Sequence, residues 1–159
     1  GDFTMRFLGS LEEQLDPIVA TLDSLAGFVS PETAPVHVLR LEAYWLGLLL
    51  DEDLPASVCR ELVRHASELN RRRGTAAGLQ LLLRLTFPDI PLQVEDRGRV
   101  TFGDRPPPTP PARQEFVVRA GRALDPDRRA AIAQVIERER PAHVAFELIE
   151  PARSWAATR

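Results

Sequence analysis

Lysine does not occur among the 159 residues, and all twenty basic side chains are arginine. With abundant Ala, Leu and Pro this is the composition of a GC-rich genome, so the arginine bias alone marks no selected chemistry. Cysteine occurs once, at Cys59, which excludes an intramolecular disulfide framework and any cysteine-rich metal site. A small apolar residue on a helix face is the simpler role for it. Long apolar runs are missing too. The longest, around Trp45-Leu46-Gly47-Leu48-Leu49-Leu50, is bounded by Glu42 and Asp51 and is far shorter than the roughly 20 residues that cross a bilayer, so no membrane insertion is expected. No secretory signal is visible in a chain that opens on Gly1.

Catalytic signatures are equally scarce. His37, His65 and His143 are far apart, without a His-Glu-x-x-His or Cys–His pairing. Gly-x-Ser-x-Gly, Walker and dinucleotide patterns are absent. Gly78, inside a helical pattern, suits close helix packing better than approach to a phosphate. Asp51-Glu52-Asp53 lacks the alternating oxygens and bend glycine of a calcium loop and reads as acids at a helix mouth. With no nucleophile–base pair to begin a site, the expectation is no catalytic residue, no metal, no cofactor and no small-molecule substrate.

Ordinary hydrophobic and charged fractions, 44% and 27%, describe a globular chain with enough length for a core. The net charge of −3 is unevenly spread. Residues 1–55 hold two Arg against ten acids, residues 56–84 six against two, and residues 85–159 twelve against eleven. A free nucleic-acid binder is more often basic overall, whereas a dipolar chain suits complementary protein surfaces.

The first half reads as helices. Phe7, Leu8, Leu11, Leu15, Ile18, Val19, Leu22 and Leu25 recur at helical spacing, with a kink or break expected at Pro17. A turn cluster, residues 30–35, precedes a second helix from Val36 to about Leu48, with Leu39, Leu41 and Trp45 inward. Pro55 opens a third, striped by Val58, Leu62, Ala66 and Leu69, with Glu61–His65, Arg64–Glu68 and Glu68–Arg72 spaced to pair. Gly74 stops it and Thr75 caps a fourth helix reaching about Thr86.

After Pro88 the pattern alternates. Leu92–Glu95 and Arg99–Phe102 read as strands joined by Asp96-Arg97-Gly98, and the proline-rich loop 103–113 contains the stiff run Pro106–Pro111. Gln114–Val118 is a further strand. Asp125-Pro126 caps a helix with Ile132, Val135 and Ile136 inward, and His143–Leu148 alternates as a last strand. The fold class is therefore α+β: an N-terminal bundle of about four helices (1–87), a small α+β part with a short sheet and one helix (88–150), and a tail (151–159).

Two features invite partners. Arg71, Arg72 and Arg73 form either a patch for an acidic surface or a helix terminus whose cations complement the dipole; both readings stand at this point. Leu79, Leu81, Leu82, Leu83 and Leu85 cover nearly every side of the fourth helix, which must then be buried all round. The opening helix, with Phe7, Leu11, Leu15 and Leu22, is the other candidate for intermolecular burial, alongside Leu79, Leu82 and Leu83. No aromatic lies between Trp45 and Phe87, against the interleaving of a single-strand binder.

The order of these signals resembles the tail-protein-I family of contractile-tailed phages and related contractile injection systems. The resemblance rests on the amphipathic opening helix, Pro31…Ala34-Pro35, Trp45-Leu46-Gly47-Leu48, Arg71-Arg72-Arg73-Gly74-Thr75…Gly78-Leu79, and Glu139-Arg140-Pro141-Ala142-His143 before a strand. It implies a non-enzymatic baseplate wedge component that bundles helices with a second, larger wedge protein. The wedges repeat in a sixfold assembly near other baseplate, spike or sheath-proximal proteins, in a tail-like particle assembled in the cytoplasm. A basic-patch adaptor for nucleic acid and a cell-wall hydrolase with two carboxylates about 5–9 Å apart are the alternatives from other classes.

Overall fold

The computed structural model describes residues 2–96 and 115–151. The expected strand Arg99–Phe102, its turn beyond Asp96, the Pro106–Pro111 run and the tail from residue 152 lie outside the described residues. The fold is α+β, as the pattern predicts, with two compact units, Gly1–Arg64 and His65–Arg159. The change of residue character at Pro88 and this division of packing fall at different places.

The first unit contains α1 (Asp2–Asp23), α2 (Leu25–Phe28), α3 (Val36–Trp45) and α4 (Ala56–Arg64). Of the kink or break expected at Pro17, the break does not occur: α1 runs through the proline as one helix of 22 residues. The proline removes one donor, and Thr21 Oγ1 donates to the Pro17 carbonyl at 2.7 Å one turn on. α3 ends earlier than expected, at Trp45, because Gly47 takes a positive φ of 74°. Gly47 N then donates to the Tyr44 carbonyl at 3.0 Å and Leu48 N to the Ala43 carbonyl at 2.8 Å, the paired closure of a glycine-terminated helix.

The inward face of α3 also differs from expectation. Leu39 and Ala43, four apart, are buried beside α4, whereas Leu41 and Trp45 are exposed, Trp45 by 71%. Leu41 and Trp45 share a face with each other but not with Leu39, since two residues turn a helix by more than half a circle. The expected stripe Val58, Leu62, Ala66 and Leu69 is buried, as is Cys59. That stripe spans two helices, not one, because the chain leaves helical geometry at His65 (φ −96°, ψ 6°) before α5 (Ala66–Arg71) begins.

The second unit continues with α6 (Ala76–Thr86), β1 (Leu92–Asp96), β2 (Glu115–Ala120), α7 (Pro126–Glu139) and β3 (Ala145–Ile149). The sheet order is β1-β2-β3, with β1–β2 antiparallel and β2–β3 parallel through the α7 crossover. One sheet face presents Leu92, Phe116, Val118 and Ala120 to Leu83 and Phe87 of the α6 region and to Ile132, Val135 and Ile136 of α7. Asp125 caps α7 as expected, its Oδ1 accepting from Arg128 N at 2.8 Å, with Pro126 in the first turn. His143 lies in the turn before β3 rather than in the strand.

Gln80 binds α6 to the sheet. Its Nε2 donates to the Leu92 carbonyl and its Oε1 accepts from Val94 N, both at 2.7 Å. Backbone groups of alternate strand residues point the same way, so this amide takes one acceptor and one donor on the side of β1 away from β2.

The Arg71–Thr75 segment is a joint. Gly74 adopts a φ of 76°, and Thr75 Oγ1 donates to the Arg72 carbonyl at 2.7 Å and accepts from Gly78 N at 3.1 Å. A Cβ placed on Gly78 would stand 2.1 Å from the Arg72 carbonyl oxygen. Close helix packing, not phosphate approach, is the use of this glycine. Gly78→Ala is expected to destabilise the protein by about 3 kcal/mol, the upper end for overpacking. Gly9→Ala, where nothing lies within 4 Å of the added Cβ, should stabilise α1 by up to about 1 kcal/mol. Urea unfolding followed by circular dichroism checks both, and equal midpoints for Gly78→Ala and wild type would contradict the close approach.

Candidate functional site

No residue of α1 is buried. Leu8, Leu11, Leu15, Ile18, Leu22 and, at the start of α2, Leu25 alternate by three and four residues, the 3.5 repeat of a coiled-coil seam. All six are exposed, Leu15 by 55%. Phe7 extends the seam on one side and Val19 on the other, and Phe3 stacks on Phe7 with ring centroids 6.4 Å apart. Gly9 and Pro17, the residues least suited to a helix, fall on the outward side of the repeat, so the seam itself is unbroken. The expected candidates Phe7, Leu11, Leu15 and Leu22 thus lie on one continuous apolar face. Leu8 and Ile18 complete it, and the three-four alternation was the signal that identifies them.

The α6 candidates are placed differently. Leu83 is fully buried in the core of its own unit, and Leu79 and Leu82 pack partly against that core. Leu83 therefore has no surface to give a partner. The sheet, α5 and α7 supply the cover that an all-round apolar helix requires.

Arg71, Arg72 and Arg73 are exposed. Arg72 Nη2 pairs with Glu68 at 2.9 Å, the i, i+4 pair expected from the sequence, and Arg73 Nε lies 3.6 Å from Glu139 Oε2. Arg71 has no ion pair among the described residues. The triplet and the α1 seam belong to different units.

Several other arginines hold loops. Arg40 on α3 donates from Nη1 to the Asp51 carbonyl at 3.0 Å and from Nη2 to the carbonyls of Glu52 and Leu54. The residues Asp51-Glu52-Asp53 consequently sit in a clamped loop, not in the first turn of α4, which contains no acid. Arg60 Nη1 donates to the Pro31 carbonyl at 2.7 Å. Arg64 pairs with Glu32 at 3.2 Å and with Glu61. The Arg60 contact with the Pro31 carbonyl is partly sheltered and so outweighs an exposed ion pair, worth about 0–1 kcal/mol, whereas the Arg40 contacts with Asp51 and Glu52 are themselves exposed.

A cleft of about 410 Å³ lies between the end of α7 and the start of β3, lined in part by Glu137, Arg140, His143 and Phe146. Arg140 Nη1 donates to the Val144 carbonyl at 2.9 Å and more weakly to those of Pro141 and Ala142, while Nε donates to Glu137 at 2.7 Å. That bond holds the Glu137 carboxyl below the usual carboxylate range. Among the described residues, Glu137 is the one carboxylate lining the cleft, and a glycosidase needs two. Among the described residues no His, Cys, Asp and Glu cluster could hold a metal ion, and no helix is long and apolar enough to cross a membrane.

In the turn before α3, Ser30 Oγ donates to Glu32 Oε2 at 2.6 Å. This hydroxyl first, then the backbone amide of Glu32 and Arg64, hold the Glu32 carboxyl below its usual range. A depressed folded-state value means that the support given to the turn is complete above the ordinary carboxylate titration, near about 4.3, and is lost as pH falls through the lower folded value. A carbon-detected NMR titration should place Glu32 below the same residue in an unstructured peptide, and Ser30→Ala should move it back. Coincident midpoints in protein and peptide would refute the assignment.

The family model described as phage tail protein (Tail_P2_I) matches residues 4–143. No curated protein matches the chain.

Proposed function

The chain belongs to the phage tail protein family Tail_P2_I, and from that membership we propose that it is a structural wedge subunit of the baseplate in a contractile tail or injection system. Membership itself gives a structural role in a phage tail, association with other tail proteins and assembly into a tail particle. The finer reading has α1 joining a second, larger wedge protein by helix bundling, within a sixfold baseplate near the spike and sheath.

One observation carries it: a 22-residue helix with an unbroken apolar seam and no buried residue. Monomeric proteins rarely leave a contiguous apolar face of this kind open unless a partner uses it. The magnitudes indicate what that partner must supply. Fully burying a large aliphatic side chain is worth about 1.5–3 kcal/mol, so covering the exposed half of six gives roughly 6 kcal/mol. Association costs about 4–15 kcal/mol. The seam alone is marginal, and contacts along its flanks must add to it, as they do when a helix is enclosed by more than one neighbour. Leucine at each of the 8, 15 and 22 positions, with no β-branched residue there, is also not the pattern of a two-stranded coil.

The arginines bear on the nucleic-acid alternative. Arg60, Arg64, Arg72 and Arg73, four of the six in the basic stretch, contact loop carbonyls or carboxylates of this chain. The other two are Arg71 and Arg84, too few for a phosphate-tracking groove.

Leu11→Asp and Leu15→Asp are expected to lower co-purification of other tail proteins with the tagged chain by at least tenfold, because a charge replaces an apolar side chain at the centre of the seam. Since neither position is buried, far-UV circular dichroism should remain that of wild type. Normal particles carrying either change would rule out α1 as the bundling helix.

A further inference from the structure

We infer that the α1 seam is built for a helix with basic flanks contributed by a different protein, and not for α1 of a second copy. This rests on the docking role proposed above for the same helix and names the chemistry of its occupant.

The inference starts from charge around the seam. Glu12 flanks the Leu8 and Val19 edge with Asp16 and Asp23 one step further round on that side, while Gln14 and Thr21 line the other edge with Ser10 one step beyond them. With Asp2 and Glu13, α1 holds five acids against a single cation, Arg6, for a net −4. None of these five carboxylates has an ion pair among the described residues. The remaining arginines of the unit do not neutralise them: Arg40 and Arg60 are engaged by loop carbonyls and Arg64 by Glu32 and Glu61. An unpaired acidic flank therefore runs alongside an unpaired apolar seam, on a helix that buries nothing within its own chain.

Each possible occupant meets this surface differently. A second α1 would bring its own −4, placing eight net negative charges within one bundle. Like charges on facing flanks oppose association and set partner choice in coiled coils. An anionic membrane surface would be repelled, since interfacial helices carry their Lys and Arg on the polar face. A helix with a matching apolar stripe and Arg or Lys on its flanks would bury the seam and pair with Glu12, Asp16 and Asp23. The uncharged Ser10, Gln14 and Thr21 edge tolerates a second, less charged neighbour. Such pairing is screened by salt, whereas the apolar contact is not.

Two designed four-heptad peptides test this with the full chain: both carry Leu and Ile at the seam positions, one with Arg and one with Glu at the flanking positions. At 50 mM salt the basic peptide should bind at least tenfold more tightly than the acidic one, and the ratio should fall at least threefold at 500 mM. Glu12→Arg, Asp16→Arg and Asp23→Arg combined should invert the preference, and Leu15→Asp should abolish binding of both. Four results would overturn the inference: equal affinities; binding of neither peptide while α1 remains helical by circular dichroism; a homo-oligomer in light scattering that Leu15→Asp dissociates; or stronger capture by phosphatidylcholine or phosphatidylglycerol vesicles than by the basic peptide. Peptide discrimination without co-purifying tail proteins would uphold the docking chemistry and remove the wedge reading, so the two fail separately.

Discussion

The carbonyl of Arg72 and the bare α-carbon of Gly78 stand so close that no side chain fits between them, and the arrangement of the second unit follows from that contact. It sets the path from α5 into α6, and Thr75 locks the path by bonding both the Arg72 carbonyl and the Gly78 amide. With α6 placed, Gln80 reaches β1 and Leu83 reaches the core between sheet and helices. A single methyl group at this position would therefore be felt at the strand twelve or more residues later. Interiors are packed too tightly to absorb such a shift locally.

A second constraint is how loops are held by a chain without lysine. Irregular backbone leaves carbonyls without partners, and each must be satisfied. The planar guanidinium answers several at once: Arg40 covers three carbonyls of the loop before α4, and Arg140 covers three in the turn before β3. An ammonium group cannot spread over such a set with fixed geometry. The arginine bias of the composition thus has structural uses that its genomic origin does not predict, and the cations so used are withdrawn from any surface patch.

Much of this was legible from residue order, for reasons that differ by element. Gly74, Thr75, Asp125 and Pro126 act through local backbone chemistry, and each stands where its type implies. The stripe of Val58, Leu62, Ala66 and Leu69 is buried as its spacing requires. The errors arose where tertiary partners choose among equivalent faces. α3 has apolar residues on opposite sides, and only the position of α4 selects Leu39 and Ala43 over Leu41 and Trp45. The overly apolar look of α6 had the same origin: a sheet and two helices share it, and no window of sequence contains all three. The seam of α1 was visible as helical periodicity, but its finer three-four alternation, which separates a coiled-coil face from a core face, becomes meaningful once the helix is seen to bury nothing. His65 is different again. Nothing in its neighbourhood signals a break in the helix, and the structure supplies no side-chain cap there to explain one.

The glutamine on α6 has a consequence for growth. A strand with a bare edge is a template, and templates copy without counting: one chain adds to the next until material runs out. By placing a side-chain amide against Leu92 and Val94, the fold takes one acceptor and one donor of that edge out of use. A particle made of a fixed number of parts needs subunits that recognise each other at specific places and refuse each other elsewhere. Gln80 is a small refusal of this kind: a stop codon written in hydrogen bonds.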